Sequence, residues 1–181
     1  TILISIMFAN NEIGTVEPIE KIANIAHRYG IFFHTDAVQA IGHVNINVVD
    51  MGIDALSLSA HKFYGPKGIG ALYIKKGTVI DNFIHGGGQE LGKRAGTENV
   101  AGIVGLGKAL ELATESMEEN NLKLKAMRDY YISEVIKRIK YVKLNGDIKN
   151  RLPGNANISF SGVDGSKLLA ELDKRGICAS S

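Results

Sequence analysis

Three short apolar runs lead into residues that can do chemistry. Ile2 to Phe8 runs into Asn10-Asn11, Ile31 to Thr35 ends in His34-Thr35-Asp36, and Asp54 to Ser59 ends in Ser59-Ala60-His61-Lys62. In open α/β sheets, ligands sit beyond the carboxyl ends of the strands. If these runs are neighbouring strands, an amide, an acid, a hydroxyl, an imidazole and an amine converge on one crevice. An acid and a lysine there suit pyridoxal phosphate (PLP). The lysine binds the cofactor aldehyde covalently, and a carboxylate facing the pyridine nitrogen keeps it protonated, so the ring accepts electrons. A lysine of ordinary pKa is only about one part in 2,500 free amine at pH 7, a cost of roughly 4.6 kcal/mol. A low-dielectric site beside cationic groups reduces that cost. Taken singly, Asp36 also reads as a turn or helix cap, and Lys62, close to Gly65-Pro66, as a solvated turn residue.

Other features carry less. Gly65-Pro66-Lys67-Gly68-Ile69-Gly70 lacks the spacing of a nucleotide phosphate loop and reads as a tight turn feeding a strand. Gly102, Gly105 and Gly107 fall in a helical pattern, where they suit close helix packing. The three glycines of His85-Gly86-Gly87-Gly88-Gln89-Glu90 would let backbone N–H groups approach an anion, or else form a plain surface loop. His34, Asp36, His61 and His85 could gather around zinc, but no pair has a recognised ligand spacing, and scattered histidines are more often structural.

The elements that must position these residues follow from periodicity. Ile2–Phe8, Ile31–Thr35, Asp54–Ser59 and Ile69–Ile74 read as strands. Pro18 sits where a first helical residue would, and Ile19, Ile22, Ala23, Ala26 and Tyr29 follow at helical spacing up to Gly30. Strands separated by helical crossovers imply a largely parallel α/β sheet. Residues 75–99 read as loop. Val100 to Ile139 is helical, with Leu124, Met127, Tyr131, Val135 and Ile139 as its apolar face. Ile158–Phe160 reads as a strand, Lys167–Lys174 as a helix, and Ile177 onward as a strand again. The expected division is a large domain over residues 1–118 and the first part of a small α+β domain over 119–181.

Apolar residues make up 45% and charged residues 22% of the 181, proportions that argue against disorder. A net charge of +2 is too small to point to nucleic acid or a membrane surface as partner. No apolar run reaches the length of a membrane span. The single cysteine, Cys178, cannot form an internal disulfide, in keeping with a reducing cytoplasm. The chain opens with Thr1 directly on an apolar run and ends at Ser181 after another, so both ends are expected to be cut from a longer protein.

Taken in order, four stretches resemble the class V aminotransferase family and, within it, the cysteine desulfurases. They are Asn10-Asn11-Glu12-Ile13-Gly14, His34-Thr35-Asp36-Ala37-Val38-Gln39, Ser59 through Gly68 around Lys62, and His85 through Asn99. The resemblance covers essentially the whole chain. The triple glycine running into Arg94-Ala95-Gly96-Thr97-Glu98-Asn99 resembles the branch that supplies sulfur for iron–sulfur clusters and nitrogen fixation. The resemblance implies a fold-type-I PLP enzyme, with the cofactor on Lys62 and Asp36 at the pyridine nitrogen. Asn11 and Gln39 would stand around the phenolic oxygen, and Ser59 and His61 would hold the phosphate. Thr97 would reach the phosphate in the neighbouring subunit of a homodimer. The implied reaction takes L-cysteine to L-alanine, leaving sulfur as a persulfide on an enzyme cysteine for a sulfur-acceptor or iron–sulfur scaffold protein in the cytoplasm.

Cys178 is not the expected persulfide residue. Ile177-Cys178-Ala179-Ser180-Ser181 resembles the segment just before the family's catalytic cysteine, which would follow Ser181. A lone cysteine in a β-rich run also reads as a buried small hydrophobe. The family's N-terminal phosphate turn, the histidine stacked on the ring and the C-terminal arginine for the substrate carboxylate have no counterpart here. Residues 1–181 alone are therefore expected to be inactive. The rival readings are another enzyme of the same fold, such as a selenocysteine lyase or an aminotransferase, and a non-catalytic homologue.

Overall fold

The computed structural model describes residues 1–180. Strand β1 (Leu3–Met7) is followed by helix α1 (Ile19–Arg28), β2 (Phe32–Asp36) and β3 (Ala55–Ser59). A 3-10 turn (Ala60–Phe63) then leads to β4 (Gly70–Ile74). The four strands lie in the order β1-β2-β3-β4, parallel from β1 to β3, with β4 antiparallel. The connection from Ala60 to Ile69 is too short to hold a crossover helix, which is why the chain returns antiparallel.

Alternation along the strands gives the sheet two unlike faces. Phe33, Thr35 and Leu56 point into the core, where they meet Ile19, Ala23 and Ala26 of α1. Those three helix residues recur at the spacing of one helical face. Tyr29, expected on that face, instead caps the helix end and is 77% exposed. Helix α2 (Val100–Glu115) adds Leu106, Ala109, Leu110 and Ala113 to the same core. The other face carries Ser5, His34, Asp36, Ser57 and Ser59, and Leu3 and Leu72 at its two edges are half-exposed.

The helical stretch expected from Val100 to Ile139 divides at Ser116 into α2 and α3 (Met117–Arg138). The apolar face of α3 is rotated from the one expected. Met127, Tyr131 and Ile139 are exposed, whereas Arg128 and Ile132 are buried. Arg128 reaches inward because its guanidinium donates to the Leu152 carbonyl (3.0 Å) and pairs with Asp129 (2.7 Å), so a cation takes an inward position that hydrophobicity would assign elsewhere. Beyond α3, β5 (Val142–Leu144) and β6 (Ile158–Phe160) pair antiparallel, and α4 (Gly165–Asp173) follows, capped by Asp164. The strand expected from Ile177 is not formed over residues 177–180. The Ile177 N–H bonds back to Leu172 O (3.0 Å) and closes the end of α4. Ser181, part of that expected strand, lies outside the described residues. No described helix is long and apolar enough to cross a membrane.

The loop after β1 is clasped by residues 145–157. Val16 N donates to Asn150 O (2.8 Å), Leu152 N to Gly14 O (2.8 Å) and Asn155 Nδ2 to Glu12 O (2.9 Å). Arg151, buried, ties that clasp together through Asp147 O and Asn155 Oδ1. Gly14 has φ +74°, and a Cβ there would lie 2.4 Å from the Asn155 side chain. Gly14→Ala is therefore expected to destabilise the protein by about 2 kcal/mol, read as a lowered thermal midpoint.

At the amino end of β3, Asp54 accepts hydrogen bonds from His27 Nε2 (2.8 Å), Phe33 N (3.0 Å) and Lys75 Nζ (3.3 Å). Burial alone would raise its pKa, but the bonds from His27, Phe33 and Lys75 outweigh it and hold the carboxyl below its ordinary value. A depressed carboxyl stabilises the fold above its unfolded pKa, and that stabilisation is lost as pH falls through the folded value. Thermal melts should thus show stability dropping below about pH 4. Asp54→Asn should flatten that part of the profile and cost about 1–2 kcal/mol near neutrality.

Candidate functional site

The register Met7↔Asp36↔Ser57 aligns the carboxyl ends of β1, β2 and β3. The Asn10–Gly14 loop leaves the first end, Asp36 forms the second, and Ser59 closes the third. Asn10 fixes its loop by accepting from the N–H groups of Glu12 and Ile13 (both 2.9 Å), which leaves Asn11 exposed at the turn. One oxygen of Asp36, Oδ1, accepts from Val38 N (2.9 Å). Among the described residues its other oxygen has no donor. Gln39 follows in the same turn, half-buried.

At the end of β3, Ser59 Oγ is hydrogen bonded to His61 Nδ1 (2.9 Å). Lys62 follows on the 3-10 turn, exposed and without an ion-pair partner among the described residues. This turn is held tightly. Ala60 N donates to Ile69 O (3.0 Å), Gly65 N to Ala60 O (2.9 Å), and Tyr64 ends the turn in the left-handed region at φ +67°. A Cβ at Gly65 would come within 2.8 Å of Ala60 Cβ, and one at Gly105 within 2.6 Å of Pro66 Cγ. Gly105 thus has the packing role expected for it, letting α2 support the turn. Gly102 meets only the side chain of the α2 cap Asn99, and Gly107 faces open space.

The sheet brings Asp36, Ser59 and His61 to one edge, with the Asn11 loop beside them. Lys62 also borders a largely apolar cavity of about 500 Å³, walled by Ile41, Phe63, Ala109, Leu112 and Leu124. Asn11, Asp36, Gln39, Ser59, His61 and Thr97 are not on its wall. The segment holding Thr97 is a separate loop closed on itself. Ile84 bridges Arg94, and Gly96 N donates to Gln89 Oε1 (3.2 Å), which ties the glycine run to the Thr97 segment. Thr97 itself is exposed. No three His, Cys, Asp or Glu side chains gather as a metal would require, among the described residues. Cys178 is exposed rather than buried, because its segment is not a strand.

One cluster escaped the sequence reading. His34 Nδ1 is bonded to Ser5 Oγ (2.7 Å) and Nε2 to Ser57 Oγ (2.7 Å), a side-chain bridge across three strands. Period-two alternation places all three residues on the face of Asp36, but their partnership depends on register, which the sequence does not state.

The donor set fits PLP. A half-engaged carboxylate, a paired hydroxyl and imidazole, and an amine without an ion pair are the groups that a pyridine nitrogen, a phosphate and an aldehyde require. The comparisons agree. The chain is 63% identical to cysteine desulfurase IscS of Clostridium botulinum, over 99% of this chain and 46% of that protein. It is 58% identical to the IscS of Methanosarcina thermophila, over 99% and 44%. Among solved structures, a NifS-like protein superposes with a TM-score of 0.94 at 40% identity, over all of this chain and 50% of that one. The NifS-like protein of Rickettsia africae gives 0.92 at 36%, over 99% and 49%. The chain spans about half the length of the relatives it matches. The family model described as aminotransferase class-V matches residues 1–181 throughout, and with strand-end groups that suit that family's PLP cofactor, this chain belongs to the class V aminotransferases.

Proposed function

We propose that the protein carrying this chain is a PLP-dependent cysteine desulfurase, converting L-cysteine to L-alanine and passing the sulfur on as a persulfide. The observation that carries the reading is the alignment of strand ends, which sets the half-engaged Asp36 carboxylate beside the turn that bears Lys62. The identity to cysteine desulfurases over 99% of this chain supports that reaction. The two-domain division near residue 118 accords with the break at Ser116 and the separate β5–β6 sheet.

PLP, when bound, supplies an aldehyde for the lysine and a ring that accepts electron density from the substrate. Lys62 would anchor it, and its amine would also be placed to carry protons. Asp36 would offer its free oxygen to the ring N–H, while the Val38 N–H holds the other in place. Asn11 and Gln39 donate around the phenolic oxygen. Ser59 and His61, already paired, present a hydroxyl and an imidazole to the phosphate. Thr97 serves the site of a second subunit. Support for a homodimer comes from exposed apolar side chains in the stretch of chain that leads to Thr97, with Phe83 93% and Leu91 97% exposed. The sulfur leaves the substrate by attack of a thiolate other than that of Cys178. The acceptor is a sulfur-carrying or iron–sulfur scaffold protein, and the compartment is the cytoplasm.

In the complete gene product, borohydride treatment should fix PLP to Lys62, and Lys62→Ala should abolish the adduct. Asp36→Asn should retain the adduct but lower alanine formation by about a hundredfold or more, because the ring nitrogen loses its counter-charge. A folded, unmodified wild-type protein after borohydride would defeat the PLP reading. Cys178→Ser should leave alanine formation from cysteine unchanged in the same protein. A severe loss would instead make Cys178 the sulfur-accepting thiol.

A further inference from the structure

His34 lies two residues before Asp36 on β2, on the same face of the sheet. Its ring joins Ser5 of β1 to Ser57 of β3, and Ser57 is the register partner of Asp36. A neutral imidazole has one donor and one acceptor, so one serine donates to the ring and the other accepts from it. A neutral ring is thus satisfied at both nitrogens. Burial pushes the His34 pKa below its ordinary value against the opposing pull of Asp36, which favours the neutral ring. A cation here would compete with a ring N–H for the Asp36 charge, and a neutral bridge does not.

We propose that His34 is a positioning residue for Asp36: its bridge between Ser5 and Ser57 locks β1, β2 and β3 together beneath the acid and so fixes where the carboxylate meets the cofactor nitrogen. This rests on the PLP reading given above for Asp36. Main-chain pairing alone sets the strand spacing, but Asp36 is the last residue of β2, where the ladder ends and a side-chain tie has the most to add. The tie acts through another residue, so its loss should appear in how the ring is held.

The test uses the complete gene product loaded with PLP. Two readouts are followed: cofactor retention on dilution, and the visible circular dichroism of the bound cofactor, which reports the asymmetry of its surroundings. His34→Leu should weaken retention about tenfold and reduce the visible dichroism. His34→Gln, whose amide offers a donor and an acceptor without titrating, should restore both. Ser57→Ala, which cuts one end of the bridge and leaves the ring, should show a smaller loss and covers the case in which the leucine variant does not fold. Wild-type values in His34→Leu or Ser57→Ala would overturn the inference while leaving the PLP reading intact. Equal losses in folded His34→Leu and His34→Gln would also overturn it. Failure of the wild-type protein to bind PLP would remove the PLP reading itself, and this inference with it.

Discussion

Parallel pairing in register is the constraint on which the site depends. Met7, Asp36 and Ser57 sit side by side because β1, β2 and β3 run the same way and are paired without offset. A slip of one residue in β2 would turn Asp36 and His34 into the core and bring Phe33 and Thr35 out. The fully buried Phe33 and Thr35 oppose that slip, and Thr35 Oγ1 donates to Ile6 O (2.9 Å), adding a polar tie. Hydrophobic burial on one face therefore specifies the position of the acid on the other.

The two faces divide the work. α1 covers one face with small residues and α2 packs on the turn after β3, since Ala23, Ala26 and Ala60 let helix, turn and sheet approach closely. The same close approach explains why α2 supports the lysine turn, where Gly65 leaves room for Ala60 and Ala109, and Gly105 for Pro66. The position of Lys62 is thus a consequence of packing on the core side, although the residues expected to act with it are on the other. The clasp on the Asn11 loop is a second long-range dependence. Residues more than 130 positions later in the chain hold that loop through Asn155, Asp147 and the buried Arg151.

Much of this was legible in the chain, and the misses have physical causes. The strand ends, the helix from Ile19 and the turn at Lys62 follow from local apolar runs and glycine punctuation. The face of α3 does not, because a hydrophobic pattern assigns Arg128 to solvent, whereas its guanidinium finds the Leu152 carbonyl and Asp129. Tyr29 matched the period of α1 but stands at its end, where the helix no longer faces the sheet. Ile177 and Cys178 had strand composition but no strand beside them among the described residues, so the backbone closed the helix instead. The His34 bridge needed cross-strand register, which no local pattern contains.

Two aspartates on the same sheet show what the fold does with an acid where nothing else is asked of it. Asp54, at the amino end of β3, accepts from a backbone N–H, an imidazole and an ammonium, and its pKa is held down. Asp36, at the carboxyl end of the adjacent strand, has one backbone donor and no cationic partner among the described residues. Both acids were available for pairing during folding, and lysines are plentiful in the chain. Leaving an acid without a counter-ion forgoes stabilisation that the Asp54 cluster shows to be within reach of this fold. Local disagreement of this kind is expected at functional positions. Asp36 therefore keeps one carboxylate oxygen without a donor among the described residues, at the carboxyl end of the strand next to the one that leads into the turn bearing Lys62.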